Sequence, residues 1–137
     1  MLLVDTNVLV DVLGNDPAWA DWSVRQLRAQ SQVHDLLINP VIYSELSLNF
    51  ESMDALDKAV DDMELVLKET PRPALFLAAK AFVNYRRAGG RKTNVLADFF
   101  IGAHAAVIGC AILTRDGRRY RNYFPRVALI TPPNSGV

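Results

Sequence analysis

The chain has 137 residues, of which half are apolar and 22% are charged, and its formal net charge is zero. These values are typical of one globular domain with a single core. The only cysteine, Cys110, excludes an internal disulfide and is expected to be a small core residue in a reducing compartment. The longest nearly uncharged run, residues 99–113, is short for a membrane span, and Asp5 and Asp11 interrupt any signal peptide. We therefore expect a cytoplasmic protein without a membrane partner.

Short apolar segments alternate with helical patterns along the first half of the chain. The predicted elements are a strand over residues 2–4, helices over 7–13 and 17–30, a strand over 36–38, and helices over 40–50 and 54–64. Asp16-Pro17 and Asn39-Pro40 each pair a capping residue with proline at the first helical position. Residues 65–67 fit either the end of the preceding helix or a third strand.

The second half continues the same alternation. It predicts helices over residues 73–88 and 96–108, each followed by glycine, and strands over 111–113 and 127–130. Strands that alternate with helices, without hairpin turns between them, indicate an α/β fold with a parallel sheet. The sequence predicts one domain over residues 1–131, with a flexible tail over 132–137.

Charge is distributed unevenly between the two halves. Residues 1–69 hold 13 acids and 4 bases, whereas residues 70–137 hold 11 bases and 2 acids, so their net charges are −9 and +9. This asymmetry is compatible with an anionic partner, nucleic acid first, and equally with two solvated faces that neutralise each other. The bases form two clusters, which are Arg86, Arg87, Arg91 and Lys92, and Arg115, Arg118, Arg119, Arg121 and Arg126.

Four carboxylates lie at the edges of apolar segments. Asp5 ends the first predicted strand, and Asp116 follows the strand over residues 111–113. Ligands of open parallel sheets bind beyond the carboxyl ends of strands, near the point where strand order reverses, so these two acids can converge. Glu45 lies among apolar residues of a predicted helix. Asp98 lies in the first turn of another, where the helix dipole favours negative charge.

Each acid also has a purely structural interpretation. Asp98 fits a helix-start acid, Asp116 in "RDGR" fits a turn, and Asp5 fits a cap of the following helix. Singly, those interpretations are favoured for Asp98 and Asp116, but four such acids together favour a shared site. Carboxylates that meet must protonate or bind a cation, and an all-oxygen set suits Mg²⁺ or Mn²⁺ better than zinc.

The motifs "LLVDTNVLVDVL", "YSEL", "LADFFIGAHA" and "LTRDGRRYRNYF" follow one another in the order seen in PIN domains. From end to end, the chain resembles the VapC-type toxins of bacterial toxin–antitoxin pairs. The resemblance implies a PIN-like three-layer α/β/α sandwich, whose central parallel sheet has four to five short strands. It also implies an endoribonuclease that depends on Mg²⁺ or Mn²⁺, forms a homodimer and is blocked by a small VapB-type antitoxin.

The same resemblance assigns roles to individual residues. Asp5, Glu45, Asp98 and Asp116 would form the acidic catalytic pocket, and Asn7 and Thr114 would support those acids by hydrogen bonds. We expect Asp5, Asp98 and Asp116 to be the nearest metal ligands, directly or through water, and Glu45 to hold a metal-bound water or a second ion. Such a site cleaves the phosphodiester to leave a 5′-phosphate and a 3′-hydroxyl, an outcome inferred from the family.

The basic clusters are candidates for binding the RNA backbone. The expected substrate-binding residues are Arg86, Arg87, Arg91, Lys92, Arg115, Arg118, Arg119 and Arg121. Tyr120, Tyr123 and Phe124 fit either stacking on unpaired bases or packing in the core, and the core is favoured. His104 lies off the face of its helix that carries Asp98, so we expect a packed or interface histidine and no catalytic role.

Two other classes of function compete with the nuclease, namely phosphotransfer and binding without cleavage. A phosphotransfer enzyme of the haloacid dehalogenase type needs a second acid two residues after Asp5, where this chain has Asn7. A receiver domain needs paired acids and a lysine after a late strand, and "ILTRDG" offers no lysine. The stronger alternative is a PIN-like module that binds RNA or a partner without cleavage.

Overall fold

The computed structural model describes residues 1–92 and 95–133, which form five strands and seven helices. In chain order these are β1 Leu2–Val4, α1 Thr6–Leu13, α2 Ala20–Ser31, β2 Leu36–Ile38, α3 Pro40–Ser47, α4 Met53–Asp62, β3 Leu65–Leu67, α5 Arg72–Arg87, α6 Leu96–Ile108, β4 Ala111–Leu113, α7 Arg118–Tyr123 and β5 Leu129–Ile130. None of these described helices is long and apolar enough to cross a membrane. Most of the predicted tail, residues 134–137, lies outside the described residues.

All five strands pair in parallel, in the order β3-β2-β1-β4-β5. The chain builds the sheet outward from β1 in one direction through β2 and β3, and then in the other through β4 and β5. The strand order therefore reverses between β1 and β4, where Leu3 aligns with Ile112. Together with the helices, this sheet forms the α/β/α sandwich that the sequence predicts, and the crevice at the reversal is where such sheets bind ligands.

Burial explains the composition of the strands. The central strands β1 and β2 are wholly apolar and buried, as expected for parallel strands that are covered on both faces. The sequence leaves open whether residues 65–67 end the preceding helix or form a strand. They form the edge strand β3, where Val66 and Leu67 are exposed. Strand β5 covers only two residues, fewer than the four predicted.

Helix boundaries agree with the sequence where a local cap sets them. Asn39 caps α3 as predicted, since its side-chain Oδ1 accepts a hydrogen bond from the backbone N–H of Ile42 at 3.0 Å. At Asp16 the prediction was wrong by three residues. The Asp16 carboxylate accepts hydrogen bonds from the N–H groups of Ala18 and Trp19, which closes a turn, and α2 begins only at Ala20.

Six of the 13 residues of helix α6 are buried, and the helix packs closely against Phe124, which follows α7. Gly102 makes that approach possible, because a Cβ atom there would lie 2.3 Å from the ring of Phe124. The Phe99 ring contacts the Tyr123 and Phe124 rings, at centroid separations of 5.2 and 6.3 Å. These contacts fix α7, which the sequence did not predict, against the helix that carries Asp98.

Candidate active site

The reversal of strand order brings two of the predicted acids to one edge of the sheet. Asp5 directly follows β1, and its backbone N–H donates to the carbonyl of Leu113 at the end of β4 at 2.9 Å. Asp116 lies three residues beyond that strand. The carboxyl ends of β1 and β4 therefore place Asp5 and Asp116 at the same crevice, as the sequence predicts for neighbouring parallel strands.

Asp5 is a buried carboxylate, 5% exposed, and is held by two hydroxyl groups. The hydroxyls of Thr114 and Tyr120 each donate to its Oδ2 at 2.8 Å. Although Asp5 occupies the N-cap position of α1, its side chain makes no capping hydrogen bond. The helix-cap interpretation of Asp5 is therefore not realised, and its carboxylate is directed to β4 and α7.

Asn7 and Thr114 extend this network behind Asp5. The Asn7 amide Nδ2 donates to the Thr114 hydroxyl at 3.3 Å, and that hydroxyl also accepts from the backbone N–H of Asp116 at 3.2 Å. Asn7 Oδ1 accepts from the backbone N–H of Arg115 at 3.3 Å. The loop after β4 is thus tied to α1, and Thr114 is oriented to donate to Asp5.

Asp98 and Asp116 each pair with an arginine of α7. Arg119 Nη1 lies 3.0 Å from Asp98 Oδ2, between half-buried side chains. The Arg118 guanidinium approaches the exposed Asp116 carboxylate more loosely, at 3.4 Å from Nε to Oδ1. The backbone N–H of Arg118 also donates to Asp116 Oδ1 at 3.3 Å, so Asp116 forms a turn as well as facing the crevice.

Glu45 is held by a residue that the sequence analysis did not single out. The Thr6 hydroxyl donates to Glu45 Oε1 at 2.6 Å, which joins the start of α1 to α3. Glu45 does not line the cavity that the other three acids share. Burial is the main cause of the raised pKa of Asp5 and of Asp98, and the charge of Glu45 makes a smaller upward contribution to both.

Burial, neighbouring acids and neighbouring arginines shift the pKa values of Asp5, Asp98 and Asp116. Desolvation, followed by the charge of Asp98, raises the pKa of Asp5 from 3.8 to about 7, although hydrogen bonds from Tyr120 and Thr114 oppose the shift. Burial also raises the pKa of Asp98, against the opposing effect of Arg119. Partial burial raises the pKa of Asp116, but Arg118 and then Arg119 outweigh it and the net shift is downward.

A polar cavity of about 360 Å³ contains this cluster. Its lining residues are Asp5, Asn7, Tyr85, Lys92, Asp98, Asp116, Arg118, Arg119, Asn122 and Tyr123. A larger cavity, of about 570 Å³, has a mostly apolar lining that includes Leu77, Phe124 and Arg126 but no carboxylate. The polar cavity is therefore the candidate active site.

The carboxylate oxygens in the polar cavity are the kind of ligand that a hard divalent cation prefers. Asp5 is buried among other acids with only hydroxyl partners, so a cation would relieve its unfavourable charge. Within residues 1–92 and 95–133, no three His, Cys, Asp or Glu side chains form a ready-made metal site. Asp98 and Asp116 are instead engaged by arginines, and a cation would have to exchange with those contacts.

The predicted RNA-binding residues occupy different surroundings. Lys92, Arg118 and Arg119 line the polar cavity. Arg115 pairs with Asp11 at 2.8 Å and does not line it, and Arg121 Nη2 lies 3.4 Å from the Thr131 hydroxyl. The remaining predicted members, Arg86, Arg87 and Arg91, are exposed at the end of α5 and just beyond it.

Several residues of the site were missed or left open by sequence reasoning. The sequence favours a core position for Tyr120 over base stacking. The residue is 1% exposed, and its hydroxyl donates to Asp5. Asp11, 2% exposed, anchors Arg115 and also accepts from the Ser23 hydroxyl at 3.2 Å. The periodicity of an apolar helix gives no signal for such a buried acid, since its partners lie in distant segments.

His104 is a packed histidine, as the sequence predicts. It is 1% exposed, and its Nδ1 lies 3.2 Å from the Nδ2 of Asn39. Because Asn39 Oδ1 accepts from Ile42, its amide nitrogen faces His104 and donates to it. Burial lowers the pKa of His104, so the ring is a neutral acceptor that links α3 to α6.

The family model of the PIN domain matches residues 2–127, and the chain therefore belongs to the PIN domain family. This match confirms the resemblance to PIN domains that the four motifs predict. No curated protein matches the sequence significantly.

Solved structures with the same fold are distant in sequence. The crystal structure of VapBC2 from Rickettsia felis, bound to a promoter DNA fragment, matches with a TM-score of 0.73 and 15% identity, over 96% of this chain and 98% of that one. DNA-bound VapBC from Salmonella typhimurium matches with a TM-score of 0.70 and 17% identity, over 95% and 96%. FitAcB from Neisseria gonorrhoeae matches with a TM-score of 0.64 and 20% identity, over 95% and 96%. At these identities the matches establish the fold.

Proposed function

We propose that this protein is a divalent-metal-dependent endoribonuclease that acts as the toxin of a VapBC-type toxin–antitoxin pair. The single observation that carries the proposal is the placement of Asp5, Asp98 and Asp116 in one polar cavity, at the point where strand order reverses. A buried acid with a pKa near 7, surrounded by other acids, is typical of a site that is built for a cation. Membership of the PIN family supports a nuclease.

The residues of the cavity have distinct roles in this proposal. Asp5, Asp98 and Asp116 would hold Mg²⁺ or Mn²⁺, directly or through water, and Glu45 would hold a water or a second ion. When bound, such an ion supplies an activated water and neutralises charge on the phosphate. Products with a 5′-phosphate and a 3′-hydroxyl are expected.

The hydroxyls around Asp5 set the orientation and basicity of its carboxylate. The hydroxyls of Thr114 and Tyr120 both donate to Oδ2 of Asp5. Burial and the negative charges nearby raise the pKa of Tyr120 well above its ordinary value, so Tyr120 stays protonated and remains a donor. The two donors therefore favour the ionised form of Asp5, which is the form that a cation requires.

Basic side chains at the cavity would bind the RNA backbone. Lys92, Arg118 and Arg119 line the cavity beside the acids and place positive charge where a phosphate would enter. Arg86, Arg87 and Arg91, near Lys92 in the chain, and Arg115 and Arg121, near Arg118, extend the proposed contact surface. RNA retention should weaken steeply with rising salt, because phosphate contacts release counterions.

The proposed partners follow from the solved structures with this fold, several of which are VapBC complexes. We propose a VapB-type antitoxin that covers the cavity, a homodimeric toxin and a cytoplasmic location, where the RNA substrate is found. Co-expression with a neighbouring antitoxin gene product should suppress cleavage.

The test is incubation of the purified protein with total RNA, in Mn²⁺ and in EDTA. Discrete fragments in Mn²⁺ alone support the nuclease, and Asp98→Asn should remove them while circular dichroism shows an unchanged fold. Asp62→Asn is the matched control, because Asp62 is an exposed acid that pairs with Lys58 on α4. RNA that is retarded but never cut by the wild type would instead support a non-catalytic binding module.

A further inference from the structure

One arginine that lines the polar cavity already forms an ion pair with a proposed metal-binding carboxylate. Resting on the function proposed above, we propose that Arg119 is the internal counter-ion of Asp98 and that a divalent cation and Arg119 compete for that carboxylate. Cation binding then releases the guanidinium to bind an RNA phosphate at the mouth of the cavity. Metal loading and RNA binding are thereby coupled through one side chain.

The geometry distinguishes Arg119 from the other arginine on α7 that faces an acid. Its Nη1 lies 3.0 Å from Asp98 Oδ2, and the two side chains are only 28% and 33% exposed. The Arg118–Asp116 pair is longer, at 3.4 Å, and its side chains are 67% and 52% exposed. Solvent screens the second pair more strongly, so Arg119 is the cation that a metal ion must displace.

Arg119 also contacts an aromatic ring of the same cavity while it pairs with Asp98. Its guanidinium carbon lies 5.6 Å from the centroid of the Tyr85 ring, which lines the same cavity. The face of an aromatic ring attracts a guanidinium, so Tyr85 keeps the side chain at the cavity after Asp98 is taken by a cation. Lys92 is fixed nearby, because its backbone N–H donates to the Tyr85 hydroxyl at 3.2 Å.

Competition predicts that removal of Arg119 increases the affinity for Mn²⁺, an effect that loss of structure would not produce. Removal of Arg119 leaves Asp98 without its cation, so the affinity for Mn²⁺ should rise, by about three- to tenfold for a half-buried ion pair. The same change removes a phosphate ligand, so the KM for RNA should also rise. A variant that merely damages the fold would lose affinity for Mn²⁺ and RNA together.

The experiment is calorimetric titration of the metal-free protein with Mn²⁺ alone. Arg119→Met should bind Mn²⁺ about three- to tenfold more tightly than the wild type. Arg126→Met is the matched control, since it removes the same charge from an exposed arginine at the apolar cavity and should stay within about twofold. Arg119→Gln serves as a second substitution and should reproduce the result if the methionine variant folds poorly.

The possible outcomes separate the two proposals. Unchanged or weaker Mn²⁺ binding by folded Arg119→Met or Arg119→Gln overturns the exchange and leaves the metal-dependent site standing. An equal gain in Arg126→Met also overturns it, because a gain from net charge alone needs no contact with Asp98. A wild type that binds no Mn²⁺ overturns the proposed function and the exchange with it.

A separate readout follows the arginine itself. In ¹⁵N-labelled protein, the Nε–Hε signal of Arg119 should shift on addition of Mg²⁺, and its absence from Arg119→Met assigns it. An Nε–Hε signal that Mg²⁺ leaves unchanged, while Mg²⁺ binds, would contradict the release of Arg119.

Discussion

Replacement of Asp5 by asparagine should stabilise the metal-free protein at alkaline pH. The pKa of Asp5 is raised from 3.8 to about 7 in the folded protein, chiefly because burial disfavours its charge. The folded state therefore binds a proton that the unfolded chain has released, and stability is lost as pH rises from about 4 to 7 and slightly above. Since each pKa unit corresponds to 1.36 kcal/mol, the loss at pH 8 is at most about 4 kcal/mol.

The assay is urea denaturation of the wild type and Asp5→Asn in EDTA, from pH 5 to pH 9. An amide oxygen can still accept from Thr114 and Tyr120, so the variant keeps its hydrogen bonds but carries no charge. The advantage of Asp5→Asn in free energy of unfolding should grow with pH, from about 1.6 kcal/mol at pH 5 to about 4 kcal/mol at pH 8. The exposed control Asp62→Asn should show no such gain. A gap that is independent of pH, or a variant that is less stable at pH 8, would refute the reasoning.

Three further outcomes are expected from the same geometry. Binding of Mn²⁺ near pH 6 should release about one proton, mainly from Asp5, which calorimetry in buffers of different ionisation enthalpy measures. Tyr120→Phe removes a hydrogen bond that lowers the pKa of Asp5, so the pH midpoint of Mn²⁺ binding should move upward; an unchanged midpoint would argue against that contact. Gly102→Ala should cost about 1–3 kcal/mol in urea denaturation, because its Cβ would meet the Phe124 ring, and Phe124→Leu in the same chain should recover part of the loss.

The sequence predicts the elements that local signals define. Uniformly apolar runs locate β1, β2 and β4, and Asn39-Pro40 fixes the start of α3. Helix α6 was predicted with its observed bounds, because a buried pattern ends at Gly109, whose φ of 71° belongs to the left-handed conformation that glycine adopts readily.

The parts that the sequence could not predict depend on tertiary contacts. Helix α7 has no amphipathic period of its own, and it is held by the aromatic contacts of Tyr123 and Phe124 with α6. Arg115 pairs with the buried Asp11 across 104 positions of sequence, a contact that the sequence did not predict. The sequence shows where basic side chains cluster along the chain. It does not show which of them form ion pairs with acids in the folded protein.

The four predicted site acids show what the sequence predicts and what it leaves out. Their strand-end positions predict that Asp5 and Asp116 converge, and the resemblance to PIN domains adds Glu45 and Asp98. Asp5, Asp98 and Asp116 line one cavity, and Glu45 does not line it. The hydroxyls that hold Asp5 and Glu45 come from Tyr120 and Thr6, whose roles depend on where α7 and α3 pack.

The central claim is that these carboxylates together hold a divalent cation. The most direct measurement is a crystal structure of the protein soaked in Mn²⁺, with anomalous diffraction used to locate the ion. We predict an anomalous peak in the polar cavity, in contact with carboxylate oxygens of Asp5, Asp98 and Asp116 or with waters that they bind, and its loss in Asp98→Asn. A Mn²⁺-saturated crystal with no peak in this cavity would contradict the claim.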